Sequence, residues 1–142
     1  VLPIGLTHLT FGDWFNEPIK ENVLPIGLTH LTFGDDFTQQ IKKGILPDGL
    51  LHLTFGDRYD EQIEQNMLPS SLLHLTFGDW FNKPIQKDIL PSGLTHLTFG
   101  DGFDYSLGRD VLPISLKLLR VGCDYSGTYV LNDESKTRVD FY

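Results

Sequence analysis

Apolar and polar residues in this chain recur in a phrase that returns at a fixed interval. Leu-Pro stands at Leu2-Pro3, Leu24-Pro25, Leu46-Pro47, Leu68-Pro69, Leu90-Pro91 and Leu112-Pro113, and Gly12, Gly34, Gly56, Gly78, Gly100 and Gly122 keep the same 22-residue step. Five whole units run from Val1 to Asp110, a sixth begins at Val111, and the pattern fails after Tyr125. A step this short predicts a solenoid, because one unit cannot bury its own apolar face and stacked neighbours must supply the core. The expected division is six units over 1–125, starting at 1, 23, 45, 67, 89 and 111, followed by residues 126–142.

Within a unit, Leu6-Thr7-His8-Leu9-Thr10-Phe11 places apolar Leu9 and Phe11 in alternation with polar residues, which predicts a short strand with one face buried and His8 and Thr10 outward. Proline has no N–H to give a strand ladder, so Pro3 and its copies belong to the connector before it. Gly12 ends the strand, at a position that needs either positive φ or a close approach of neighbouring backbones. Asp13 to Val23 is too short and too rich in turn formers for a regular helix, so irregular turns are expected there.

Stacking turns equal positions into columns about 4.8 Å apart. Leu6, Leu9, Phe11, Phe15 and Ile19, with Leu2 and Val1, head the apolar columns predicted to form the core. Two of these are aromatic, one led by Phe11 and one by Phe15. A polar column, Asn16, Thr38, Asp60, Asn82, Asp104 and Ser126, is expected to lie inside and to satisfy backbone groups that the sheet cannot pair. Asp13, Asp35, Asp57, Asp79 and Asp101 form an acidic column broken by Cys123. Calcium binding or paired acid–base chemistry needs an asymmetric site that identical units do not supply, and aspartate bonding its own turn is the preferred account.

The phrases "FGDWFNEPI" and "FGDWFNKPI" at Phe11 to Ile19 and Phe77 to Ile85 resemble the FNIP, or FGxxFN, class of leucine-rich repeats of social amoebae and giant DNA viruses. The resemblance covers about four-fifths of the chain, five consecutive units matching in register. It implies a mainly β leucine-rich solenoid with a parallel sheet on its concave side and an irregular convex side, and it implies an interaction protein. No F-box-like segment accompanies the repeats. Trp14 stands where the general leucine-rich pattern has asparagine, and Asn16 follows two residues later.

All five histidines, His8, His30, His52, His74 and His96, share one outward strand position and should form a row along the concave face. Three readings are open: a metal site, a stacked polar ladder, or contact with a partner. Rings about 4.8 Å apart are too far to share a zinc at about 2.1 Å per bond unless their rotamers converge, and no cysteine joins them. The column Trp14, Asp36, Arg58, Trp80, Gly102, Asp124 refuses to repeat. It contains both tryptophans with an arginine between them, and Trp and Arg are the residue types that most often anchor interfaces. The alternative is that each tryptophan only covers a neighbouring histidine or glycine. Leu51, Leu73 and Leu118 add apolar surface to the same face.

A net charge of −8 disfavours nucleic acid or an anionic membrane as partner, and no apolar run is long enough to span a bilayer. One cysteine cannot staple the chain to itself and fits a reducing, intracellular setting; with the viral resemblance, host cytoplasm is expected. No phosphate loop and no nucleophile with a placed base are visible, so neither catalysis nor a cofactor is expected. The stretch "SGTYVLNDESKTRVDFY" alternates on both sides of a polar turn and predicts a C-terminal β-hairpin cap. Nothing comparable precedes Val1, which makes a homodimer through the N-terminal end the expected answer to an open edge. The primary expectation is a non-enzymatic module binding an unidentified protein on its concave face. The alternative is a self-assembling protein whose main contact is that N-terminal end.

Overall fold

The structure, a computed structural model, describes residues 2–132 and 136–142. Seven strands, β1 (His8–Thr10), β2 (His30–Thr32), β3 (His52–Thr54), β4 (His74–Thr76), β5 (His96–Thr98), β6 (Leu118–Val121) and β7 (Arg138–Phe141), form one sheet in sequence order. Every neighbouring pair is parallel, and from β1 to β5 each residue pairs with its own counterpart, as His8 with His30 and Leu9 with Leu31. Such a register fixes the solenoid, since a shift by one residue would turn Leu9 and its copies to solvent. Among the described residues there is no helix.

Each coil turns three corners with tight backbone bonds. In the first, Leu6 N–H donates to Pro3 O (3.1 Å), Phe15 N–H to Gly12 O (3.0 Å) and Val23 N–H to Lys20 O (3.4 Å). Proline suits the first corner because its carbonyl is used there and its missing N–H is not. Within the third corner, at the end of each unit, Asn22, Asn66, Asp88 and Asp110 have φ of 61–63° and Gly44 has φ of 82°. Asn, Asp and Gly are the residues that occupy the left-handed region at least cost.

The glycine that follows each strand serves a different need. Gly34, Gly56, Gly78 and Gly100 do not have positive φ. A Cβ on any of them would run into the backbone of the preceding coil's Gly and Asp. The two expectations for this position therefore resolve in favour of close approach.

The core is a set of columns. Leu28, Leu31, Phe33, Phe37 and Ile41, with their equivalents through the fifth coil, are buried, Tyr125 and Tyr129 of the sixth are partly buried, and the rings run as continuous stacks. In the first coil Leu2, Leu6, Leu9, Phe11, Phe15 and Ile19 are only partly buried. Val1 lies outside the described residues. Spacing along the columns differs with depth. Histidine rings on the strand face are 4.0–4.2 Å apart, rings of the Phe11 column 5.4–5.5 Å, and rings of the Phe15 column 6.0–6.5 Å. Equivalent points of units related by a rotation are separated in proportion to their distance from its axis, so the strand face is the concave one.

Two expectations change. The polar column is half-buried to exposed, not internal, although its bonding role holds: Asn16 Oδ1 accepts from Thr38 N–H (3.0 Å), Asp60 Oδ1 from Asn82 N–H (2.8 Å), Asn82 Oδ1 from Asp104 N–H (3.1 Å) and Asp104 Oδ1 from Ser126 N–H (2.8 Å). A wide outer corner leaves N–H groups at the surface, and a short acceptor one coil back reaches them.

The C-terminal segment is not a hairpin cap. Tyr129 bridges Leu107 in parallel, and β7 pairs in parallel with β6, so both expected arms lie against the preceding coil, the first completing the sixth coil and the second beginning a seventh. Residues 133–135, the centre of the expected hairpin turn, lie outside the described residues.

Tyr59 is the one tyrosine inside a run of phenylalanines; its hydroxyl is buried without a hydrogen-bond partner among the described residues. Burial first, and Glu61 second, push its pKa above the ordinary phenol value. The Ile41 backbone offsets part of that rise without reaching hydrogen-bonding geometry. Two substitutions should therefore move stability in opposite directions in urea titrations. Tyr59→Phe removes an unpaired buried group and should stabilise by about 1 kcal/mol. Gly56→Ala forces two coils apart and should cost about 2 kcal/mol or more. Equal midpoints for Gly56→Ala and the wild type would overturn the close-approach account.

Candidate functional site

Parallel in-register pairing brings the five histidines into one stacked row, with neighbouring planes within 8–19° of each other. Three of them are anchored at Nδ1 by the preceding threonine: Thr7 Oγ1 to His8 (3.0 Å), Thr29 Oγ1 to His30 (2.9 Å) and Thr95 Oγ1 to His96 (2.9 Å). The Thr29 hydroxyl donates its single proton to Thr7 O (3.1 Å) and that of Thr95 to Leu73 O (2.9 Å). Each of these hydroxyls can then only accept from the histidine, so Nδ1 carries the proton in His30 and His96. In the neutral rings Nε2 is thus left as the acceptor. Leu51 and Leu73 replace threonine before His52 and His74; both lie on this face, Leu51 half-buried and Leu73 more exposed. Leu118, within β6, is also half-buried.

Burial in the stack, and after it the neighbouring imidazoles, hold His30, His52 and His74 below the ordinary histidine pKa. Among the described residues, no three His, Cys, Asp or Glu side chains are grouped so as to hold a metal ion.

Past the strands, the aspartate column and the variable column form the rim. Asp13, Asp35, Asp57 and Asp79 use their backbone carbonyls to accept from Asp36, Arg58, Trp80 and Gly102 N–H of the next coil, at 2.7–3.0 Å. Among the described hydrogen bonds, none has a carboxylate of this column closing its own turn; the turn is closed by backbone alone, as Phe15 N–H to Gly12 O. The carboxylates crowd one another instead. Desolvation, then Asp35 and Asp79, raise the pKa of Asp57.

On the variable column, Trp14 is 89% exposed and Trp80 61% exposed. Arg58 reaches back to Asp36 (Nη1 to Oδ1, 2.7 Å) while its guanidinium carbon lies 5.4 Å from the Trp80 ring centroid. One face of Trp80 is thus occupied by an arginine. Asp13, Trp14, Asp35, Asp36, Asp57, Arg58 and Trp80 line a shallow groove of about 360 Å³. A second groove of about 390 Å³ runs along the strand ends between the threonine and aspartate columns and is lined at one end by Tyr142. Sequence reasoning missed Tyr142, which the seventh coil delivers to this face, where its hydroxyl donates to Phe99 O (2.8 Å).

A curved stack of short parallel strands with irregular outer corners is a leucine-rich-repeat solenoid. The chain belongs to the FNIP repeat family, whose model matches residues 1–36, 37–79 and 81–124. It is similar to a solved structure, CroV588 of Cafeteria roenbergensis virus, described as a novel circular leucine-rich-repeat protein, at 46% identity and a TM-score of 0.91. That likeness covers 99% of this chain and 21% of the other, so this chain spans about a fifth of that protein's length. No curated protein matches the chain. Solenoids of this type are non-enzymatic repeat folds, consistent with an interaction module.

The histidine row makes stability depend on pH. A depressed folded-state pKa means that the unfolded chain takes up protons first as pH falls below about 6.5, so the contribution is complete above that value and is lost as pH drops through the lowered folded values. Thermal melts at about pH 7.5 and about pH 5.5 should show a larger loss for wild type than for a His52→Gln, His74→Gln variant. Parallel losses would remove the row as the cause.

Proposed function

We propose that this solenoid is a protein-interaction module that receives its partner on the concave face and along the rim above it. The observation that carries the reading is the variable column. Stacking leaves this position free, yet it gathers Trp14, Arg58 and Trp80 into one groove, with two indoles far more exposed than core packing needs. Leu51, Leu73 and the row of His8, His30, His52, His74 and His96 form the adjoining floor, where apolar surface alternates with hydrogen-bonding nitrogens. The partner is a protein; the acidic surface is unsuited to a nucleic-acid backbone or an anionic bilayer.

A second reading rests on the first coil, whose apolar members are the less buried ones of their columns. A coil seated on them, whether from a preceding stretch of the same polypeptide or from a second copy in a homodimer, would complete the stack.

Affinity capture from lysate, with the wild type and a Trp14→Ala, Arg58→Ala, Trp80→Ala variant of matched circular dichroism, tests the primary reading. A protein retained by the first and lost by the second supports the rim as the recognition surface, whereas equal capture sinks it. Mass measured against concentration on the same samples addresses the second reading: a species that doubles with concentration favours self-association, and a constant monomer mass removes it.

A further inference from the structure

The variable column contains its own example of how it holds a cation. Reading up the stack, Asp36, Arg58 and Trp80 occupy three successive levels, and the arginine on the middle level is gripped from both sides, ion-paired to Asp36 at 2.7 Å and lying 5.4 Å from the Trp80 centroid. The next two levels are Gly102 and Asp124. Trp80, Gly102 and Asp124 thus repeat the same outer pair, indole and carboxylate, in reverse order across an equal number of levels, with a middle level that has no side chain.

Arg58 lies over one face of the Trp80 ring, Trp80 remains 61% exposed, and the level that follows it in the column is Gly102. Gly102 keeps the stack in step through its N–H to Asp79 O (2.7 Å). A Cβ there would collide with that same carbonyl, so this level is confined to glycine by the backbone. The coil that presents Asp124 keeps its outer corner, Tyr125 N–H closing on Gly122 O at 3.1 Å and the Tyr125 ring stacking on Phe103 at 6.0 Å, while the N–H to aspartate-carbonyl bond that joins the lower levels of the column is not among the described bonds at Asp124. Among the described residues Asp124 is in no ion pair.

We propose that the Gly102 level is a socket for an arginine side chain of a partner protein, clamped between the free face of Trp80 and the carboxylate of Asp124 as Arg58 is clamped between Trp80 and Asp36. The proposal rests on the reading of this rim as a recognition surface and specifies its chemistry. Arginine suits the socket better than lysine, because a planar guanidinium stacks on an indole while its edge pairs with a carboxylate. A partner side chain there would extend the alternation along the rim to Asp36, Arg58, Trp80, partner arginine, Asp124.

The test uses the 142-residue chain with Trp14→Phe, so that Trp80 is the sole indole, titrated with acetyl-Gly-Arg-Gly-amide and with its lysine and citrulline counterparts. The Trp80 fluorescence and its Nε1–H resonance should shift saturably with the arginine peptide, less with lysine, and not with the neutral citrulline peptide of the same shape. Asp124→Asn should weaken the arginine response by roughly two- to five-fold, the range of an exposed ion pair. An unmoved Trp80 signal, an equal response to citrulline, or indifference to Asp124→Asn would overturn the socket. If a captured protein is lost by the Trp14, Arg58, Trp80 variant but retained undiminished, at the wild-type affinity, by Asp124→Asn, the socket fails while the rim stands. If both variants capture it as the wild type does, the rim fails as well.

Discussion

Everything in this molecule follows from neighbouring coils lying in register at their strands, one 22-residue step apart. The ladders of β1 to β5 pair each residue with its own copy, so any side chain that is acceptable once is placed directly against itself. That favours groups which stack on their own kind. Phenylalanine, leucine and neutral imidazole do so; like charges do not, and the one strictly acidic column shows the cost in the raised pKa of Asp57. The glycine after each strand is the enabling part, because only a residue without Cβ lets the backbones close to this distance.

The three corners of a coil meet this constraint differently. The connector before the strand uses proline carbonyls, and the third corner contains a left-handed Asn, Asp or Gly. The outer corner hands its N–H groups to a side chain one coil earlier. That last device replaces a buried asparagine ladder with an exposed one whose acceptors are Asn16, Asp60, Asn82 and Asp104. An exposed ladder is wet and individually weak. It suffices here because the ring columns stabilise the stack more strongly through hydrophobic burial, each aromatic side chain removing 150–250 Å² from water in a typical protein.

The strand, its buried face and the apolar columns were legible in Leu9, Phe11 and their copies, since alternation and a fixed period leave few other arrangements. The left-handed column at Asn22, Gly44, Asn66, Asp88 and Asp110 was equally visible and went unread, although no other residue types share that backbone preference. The seventh coil was hidden for a physical reason. The sixth coil keeps the step to its end, Tyr129 lying 22 residues after Leu107, but the next strand slips, β7 pairing Arg138 with Leu118 only 20 residues back. With neither Leu-Pro nor Phe-Gly to mark it, alternation around a polar turn reads as a hairpin. At the rim, sequence placed Trp14, Arg58 and Trp80 in one column, but the grip of Arg58 between Asp36 and Trp80 depends on rotamers that no spacing rule supplies.

The widening of ring spacing with depth has a geometric meaning beyond marking the concave side. Rings of the Phe15 column are about 0.7 Å farther apart than those of the Phe11 column, across roughly 4 Å within each coil, so each unit turns by at least about 10° relative to the last. A run of such units that stayed in one plane would come back on itself after no more than roughly 36 of them. Curvature is then a property written into a single unit, and the length of the array decides only how much of the circle is drawn.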